Sequence, residues 1–403
     1  MLNFPKNFFW GTATSAHQIE GNNTNNDWWE AEQKGLLPNK SGKACDSYNR
    51  YEEDFNLAKS MNNNAHRFSI EWSRIEPEEG KFNQQEIEHY RKVLQALRVR
   101  GLDPFVTLHH FTNPIWFAKK GGWTNKKAPE YFARYVEYVV DKLKEEVVYW
   151  ITVNEPFVVS CAGYLPIQGY TSNRWPPFKK NDILRFFSCI KNMAKAHTRA
   201  YKIIHSHNEK AQVGIANSNV YFEAYRGRFF SRIAVQIAKY FWNELFLNRI
   251  KKHMDFVGIN YYSHNRIHVR FSHPLSWSNQ NENKEVSDFG WEVYPEGIYH
   301  VVKEIYKKYK KPIYITENGI SDADDDQRPD FIKNNLKWLH KAIQEGSDVR
   351  GYFYWSLLDN FEWAEGFTQR FGLVEVDFNT FERKIRPSGK LYGEICKNNG
   401  LDD

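Results

Sequence analysis

Eight short apolar runs recur along the chain, and helical, amphipathic stretches separate them. The runs lie near residues 8–16, 65–70, 104–108, 149–154, 212–216, 255–260, 313–316 and 351–356. Each is rich in β-branched and aromatic residues and is bounded by Gly, Pro, Asn or a charge, the signature of a buried strand. Strands that alternate with helices build parallel sheets, because a parallel crossover needs a helix's length of chain to return. Eight such strands are the number that closes a (β/α)8 TIM barrel. Nothing resembling a linker interrupts the pattern, and α/β barrels run long as single domains. The 403 residues are therefore expected to form one α/β domain, residues 1–403, with its active site at the C-terminal mouth of the strands.

The helices carry their own signals. Asn83 followed by Glu86 predicts a capping box, and Ile87, Tyr90, Val93, Leu94 and Leu97 form one apolar stripe behind it. A second stripe, Phe132, Tyr135, Val136, Val139, Val140 and Leu143, precedes the fourth strand, and Ile332, Leu336, Leu339 and Ile343 precede the eighth. Residues 228–251 predict one basic, aromatic helix. Residues 22–43, the stretch holding Gly163, Pro166, Gly169, Pro176 and Pro177, and residues 264–288 are expected to be loops.

Two strands end in a carboxylate. The run from Tyr149 closes in Asn154, Glu155 and Pro156, and the run from Ile313 closes in Glu317, Asn318 and Gly319. Glutamate is rarely buried without a partner, so each must face a wet or functional cavity. Gln18, Arg67, His110, Asn154, Asn217, Tyr262 and Trp355 also fall at or near strand ends, and a barrel would gather them at one mouth. Two carboxylates on the fourth and seventh strands suit cleavage of a glycosidic bond: one protonates the leaving oxygen, and the other attacks the anomeric carbon or activates water. The two need unequal pKa values, hence unequal neighbours. Arg67 and Tyr262 are candidates to hold one of them ionised. Asn154, Gln18, His110 and Glu362 can bond sugar hydroxyls. Aromatic residues make up 16% of the chain, 14 of them Trp, and Trp355 and Trp363 offer flat faces for a pyranose ring.

Other classes are disfavoured. A net charge of +6 is modest, and Lys307, Lys308, Lys310 and Lys311 stand where a helix ends and match its dipole, so no nucleic-acid partner is expected. No apolar run is long enough to span a bilayer, and the first residues lack the apolar core of a signal peptide. A cytoplasmic protein with no membrane partner is the expectation. Cys45, Cys161, Cys189 and Cys396 are scattered without a Cys-x-x-Cys pair, and His109-His110 lacks a third ligand at metal-like spacing, so no metal is expected. A homo-oligomer is left open.

Six stretches resemble glycoside hydrolase family 1 β-glycosidases over nearly the whole length: FFWGTATSAHQIEG from 8, RFSIEWSR from 67, TVNEP from 152, NYY from 260, ITENG from 315 and WSLLDNFEW from 355. The resemblance implies a retaining double displacement without cofactor, with Glu317 as nucleophile and Glu155 as acid/base. It implies a first sugar subsite of Gln18, His110, Asn154, Glu155, Glu317, Trp355, Glu362 and Trp363, with Arg67 and Tyr262 tuning Glu317. The expected substrates are small β-glycosides or oligosaccharides with a terminal non-reducing β-glucosyl residue, galactosyl and fucosyl sugars remaining open. Family members often carry Trp and Asp after the histidine, where this chain has Phe111 and Thr112. The chain is also shorter than most members, which implies trimmed loops around the mouth. A 6-phospho-β-glycosidase and a non-catalytic carbohydrate-binding relative are the alternatives. Glu362 and Glu365 oppose the first because carboxylates repel a phosphate, and retention of both Glu155 and Glu317 opposes the second.

Overall fold

The computed structural model describes residues 2–165, 175–179, 181–270 and 277–402. Eight strands form the barrel: β1 (Phe9–Ala13), β2 (Ala65–Ser69), β3 (Asp103–Thr107), β4 (Tyr149–Asn154), β5 (Gln212–Ala224), β6 (Val257–Val269), β7 (Ile313–Asn318) and β8 (Val349–Trp355). Every neighbouring pair is parallel, β8 returns to β1, and the β5–β6 pairing closes the ring between them. The expected (β/α)8 architecture is what the chain adopts.

The strand sequences look almost uniformly apolar because both faces are buried. Their side chains still alternate. Trp10, Val106, Trp150, Val213, Val257 and Tyr352 point out into the helical layer. Phe105, Ile151, Phe256, Tyr314 and Phe353 point in, with Phe9 and Tyr149 packed against them. Rings therefore plug the barrel floor: Phe105 stacks on Tyr149 at 4.2 Å and meets Phe353 at 4.6 Å and Tyr314 at 5.3 Å. So many inward rings need small residues beside them. A Cβ on Gly11 would lie 2.6 Å from the Phe353 ring, and one on Gly214 would lie 2.6 Å from Phe256.

The expected helices form, including α1 (Gln84–Val99) and α2 (Ala128–Leu143); an unforeseen helix, α3 (Pro156–Tyr164), follows β4, and α4 (Ile183–His207), α5 (Phe229–Lys239), α6 (Glu296–Tyr309) and α7 (Arg328–Gln344) come after it. The stripe on α1 is buried throughout. Its capping box does not form: Asn83 accepts from the Gln85 amide at 3.0 Å, whereas Glu86 turns away and accepts from the Tyr48 hydroxyl at 3.1 Å. A tertiary partner has outcompeted the local one.

Other expectations need correction. A helix, Asp27–Gln33, stands within the supposed loop 22–43, and the Asn26 side chain caps it by accepting from the Trp29 amide at 2.8 Å. Gly163 lies in α3 rather than in a loop, while Pro166 and Gly169 fall outside the described residues. The basic helix forms over Phe229–Ile250 but is not one regular α-helix: α5 ends at Lys239, and a π turn over Tyr240–Glu244 carries it directly into a short helix, Leu245–Ile250. The supposed loop 264–288 is partly strand. β5 and β6 run on past the barrel, paired from Val220↔Ser263 to Ala224↔Ile267, and Trp277–Asn279 pairs antiparallel with β6. The sequence hides this arm because half-exposed polar residues fill it. At the other end, Leu2–Asn3 pairs with Gly400–Leu401 and ties the chain ends together.

Gly11→Ala tests the packing of the barrel floor. The methyl group would meet the Phe353 ring and the Ala65 carbonyl oxygen at 2.8 Å or less. Overpacking of this kind costs about 1–3 kcal/mol, so thermal or denaturant unfolding should show a less stable protein with its fold retained.

Candidate active site

Parity decides which strand residues reach the barrel mouth. On β6 the alternation is regular: Gly258, Asn260 and Tyr262 face in, whereas Val257, Ile259 and Tyr261 belong to the outer layer. On β4 and β7 the parity is switched. The register slips between Ile151 and Asn154 on β4 and between Ile315 and Asn318 on β7. Such a bulge re-aims the residue that follows it. Ile151 faces in and Val153 faces out, and Asn154 then faces in again. On β7 the inward Thr316 is followed directly by an inward Glu317. Glu155 is aimed by its backbone, at φ 45° and ψ 59°, and its amide donates to the Ala216 carbonyl at 2.7 Å. Pro156 then opens α3.

Arg67 on β2 joins these groups. Its Nη1 donates to a Glu317 carboxylate oxygen at 2.5 Å and to the Thr316 carbonyl at 3.0 Å. Its Nη2 donates to Asn154 Oδ1 at 2.7 Å, and its Nε donates to Thr107 Oγ1 at 3.2 Å. Because arginine only donates, it fixes which end of the Asn154 amide is oxygen. The Tyr262 hydroxyl donates to the other Glu317 oxygen at 2.8 Å. Asn260 Nδ2 donates to Glu155 at 2.9 Å and to Asn154 Oδ1 at 3.1 Å, and its Oδ1 accepts from Thr316 at 2.7 Å.

The two carboxyls are both buried but unequally served. Burial raises Glu155, the neighbouring Glu317 charge raises it further, and among the described residues only the neutral Asn260 amide bonds its carboxyl; its pKa is pushed up to about 8. Burial also raises Glu317, but the Arg67 guanidinium, the Tyr262 hydroxyl and Asn260 all pull the other way by favouring its charged form. A charged donor bonds an anion far better than an amide does. The pair therefore keeps its proton on Glu155 and its charge on Glu317.

Around them lies a cavity that opens at the mouth of the barrel. Gln18, His110, Asn154, Glu155, Tyr262, Glu317, Trp355, Glu362 and Trp363 all line it, as the sequence pattern requires. Arg67 does not reach it and acts through Glu317 and Asn154. Gln18 sits on a short helix, Ala16–Ile19, and its Nε2 donates to Glu362 at 3.2 Å and Asn360 at 3.0 Å. Burial, then the Glu317 charge, pushes Glu362 up to about 8. His110 lies parallel to the rings of Trp355 at 5.8 Å and Trp363 at 6.1 Å. Burial and the nearby Arg67 charge push His110 well below its ordinary value, so the ring is neutral.

Some expectations are redistributed. Asn217 turns from the mouth and bonds Asn219 and the Asn243 carbonyl. His109 bonds Asn113 at 3.1 Å and is no ligand partner for His110. Glu71 is structural, accepting from Ser73 at 2.7 Å and Thr112 at 2.8 Å. Thr112 is thus held away from the cavity, while Phe111 lines it. Sequence reasoning assigns Asn260 no role, although its spacing of two from Tyr262 is a usable signal. It also misses Phe289, Trp291 and Phe371, which line the outer cavity and come from segments with no strand pattern.

The sequence profile described as glycosyl hydrolase family 1 matches residues 1–248 and 224–401. β-Glucosidase A of Thermotoga maritima is 34% identical, with 99% of each chain covered. A β-galactosidase of Sulfolobus acidocaldarius is 32% identical, covering 100% of this chain and 97% of the relative. The solved structure of a β-glycosidase from Pyrococcus horikoshii is 42% identical and superposes with a TM-score of 0.93, covering 100% of this chain and 96% of that one.

Arg67→Met removes one partner of a buried ion pair and should cost about 3–5 kcal/mol in unfolding free energy. The loss should shrink as pH falls, because the stranded Glu317 can then take up a proton. Denaturant titrations at neutral and acidic pH measure both.

Proposed function

This chain belongs to glycosyl hydrolase family 1 and is a retaining β-glycosidase, and from that premise we propose how its own side chains divide the chemistry. The reading rests on the unequal pair at the mouth. Glu317, bonded by Arg67 and Tyr262, is the ionised nucleophile. Glu155, its carboxyl bonded among the described residues only by the Asn260 amide, is the proton donor.

A Glu317 oxygen attacks the anomeric carbon, the bond to the aglycone oxygen breaks, and that oxygen takes the Glu155 proton. The products are a glycosyl ester on Glu317 and a free alcohol. Forming the ester removes the charge that had helped to hold the proton on Glu155. Glu155 can then stay ionised and act next as a base. It takes a proton from water as that water attacks the anomeric carbon, and Glu317 leaves as carboxylate. Two inversions give retention.

The bound sugar ring would sit against Trp355 and Trp363, with Gln18, His110, Asn154 and Glu362 reaching its hydroxyls. Glu365, in the same wall as Glu362, argues for unphosphorylated sugars, since a carboxylate there does not suit a phosphate dianion. Terminal non-reducing β-glucosides are the proposed substrates. β-Galactosides follow as a second class, since relatives of both names match along the whole chain.

Turnover of aryl and alkyl β-glucosides tests the division of labour. Glu317→Ala should lose activity on both by about four orders of magnitude or more. Glu155→Ala should lose about 10²–10⁴ on alkyl glucosides, which need a proton, and far less on p-nitrophenyl glucoside, which does not. Equal losses on the two substrates would overturn the acid/base assignment.

The pH profile supplies a second test. Glu155 must be protonated in the free enzyme, and its pKa is raised. The alkaline limb of kcat/KM should therefore stay level through neutral pH and fall as pH rises through about 8. Glu317→Gln removes the neighbouring charge and should lower the Glu155 pKa. Carboxyl chemical shifts in that variant, which should not turn over, would read the change directly.

A further inference from the structure

The helix α5 is apolar on two faces. One face, with Ala234, Val235 and Ala238, packs on Val220, Phe222 and Ile267 of the arm formed by β5 and β6. The opposite face should be polar on a surface helix. Instead it carries Phe229 at 70% exposure, Ile233 at 45%, Ile237 at 47%, Tyr240 at 45% and Phe241 at 40%. These residues recur at intervals of three and four, so they form one stripe running from α5 into the π turn.

Charge identifies what the stripe fits. Arg226, Arg228 and Arg232 are exposed beside it, and Arg270 just past the end of β6 is exposed as well. Arg226 and Arg228 lie against the Tyr225 ring, and Arg228 also bonds His268 at 2.7 Å. No Asp or Glu occurs between Ala224 and Asn243. Within that stretch Lys239 takes an acidic partner from elsewhere, Glu304 on α6. The face is thus apolar and aromatic with a one-sided positive rim. A second copy would oppose like charges across such a contact. Among the described residues no helix is long and apolar enough to cross a membrane, but a basic helix with an aromatic face can lie in the plane of one.

We propose that the outward face of α5 is a peripheral docking surface for an anionic lipid bilayer. Phe229, Ile233, Ile237 and Phe241 would enter the boundary between headgroups and acyl chains, and the arginines would reach lipid phosphates. The lack of a spanning segment, on which the expectation of no membrane partner rests, does not bear on this kind of contact.

The test is co-sedimentation of the full chain with phosphatidylglycerol–phosphatidylcholine vesicles and with pure phosphatidylcholine vesicles, at low and high salt. Binding to the anionic vesicles, weakened by salt and absent on the neutral ones, is expected. Arg226→Glu and Arg232→Glu should each weaken it by about fivefold or more. Ile233→Ser with Ile237→Ser should weaken it while turnover of p-nitrophenyl glucoside stays unchanged, since neither residue lines the cavity. Failure to bind anionic vesicles, or binding unaffected by these variants, would overturn the proposal. So would sedimentation velocity showing a dimer that the double serine variant dissociates, because the stripe would then be a self-contact.

Discussion

The contact between Arg67 and Glu317 carries the site. Burying two charges is costly unless geometry and further hydrogen bonds compensate. Here the guanidinium also bonds Thr107, Asn154 and the Thr316 carbonyl, so one side chain on β2 reaches β3, β4 and β7. Tyr262 on β6 bonds the other carboxylate oxygen. Five of the eight strands thereby converge on one charge. The same arrangement sets the chemistry: with the anion secured on Glu317, its repulsion and the dry surroundings hold a proton on Glu155.

The barrel floor makes that convergence rigid. Inward rings of Phe105, Tyr149, Tyr314 and Phe353 fill the space beneath the polar mouth, and glycines on neighbouring strands make room for them. The polar layer above is a connected network in which Asn260 and Asn154 each serve two partners or more. A network of that kind positions groups well because no member can rotate without leaving another unsatisfied. The helical layer outside holds the strands, and α5 presents a second apolar face to the outside.

Much of this is legible in the sequence. Strand number, alternation with helices and the two strand-ending glutamates predict both the barrel and the paired carboxylates. Of the ten residues nominated for the site, nine line the cavity and Arg67 stands directly behind it. What misleads is local inference without tertiary context. Glu86 finds Tyr48 instead of its helix terminus, Asn217 is drawn off by Asn243, and the polar stretch after His264 becomes strand because β5 runs beside it.

Periodicity along the chain settles the number of strands, the buried stripes and the residue types delivered to the mouth. It does not settle the direction of Asn154 and Glu317, because strict alternation assigns the wrong parity on β4 and β7. Register slips against the neighbouring strands restore it. Nor does the strand pattern by itself rank the two glutamates; the motif resemblance assigns their roles without giving the physical cause. Both end an apolar strand, both are buried, and only the folded chain brings Arg67 and Tyr262 to one and leaves the other with a neutral amide. The reason is physical: a pKa depends on the charges and donors that surround a group in space, and those come from strands far apart in the chain.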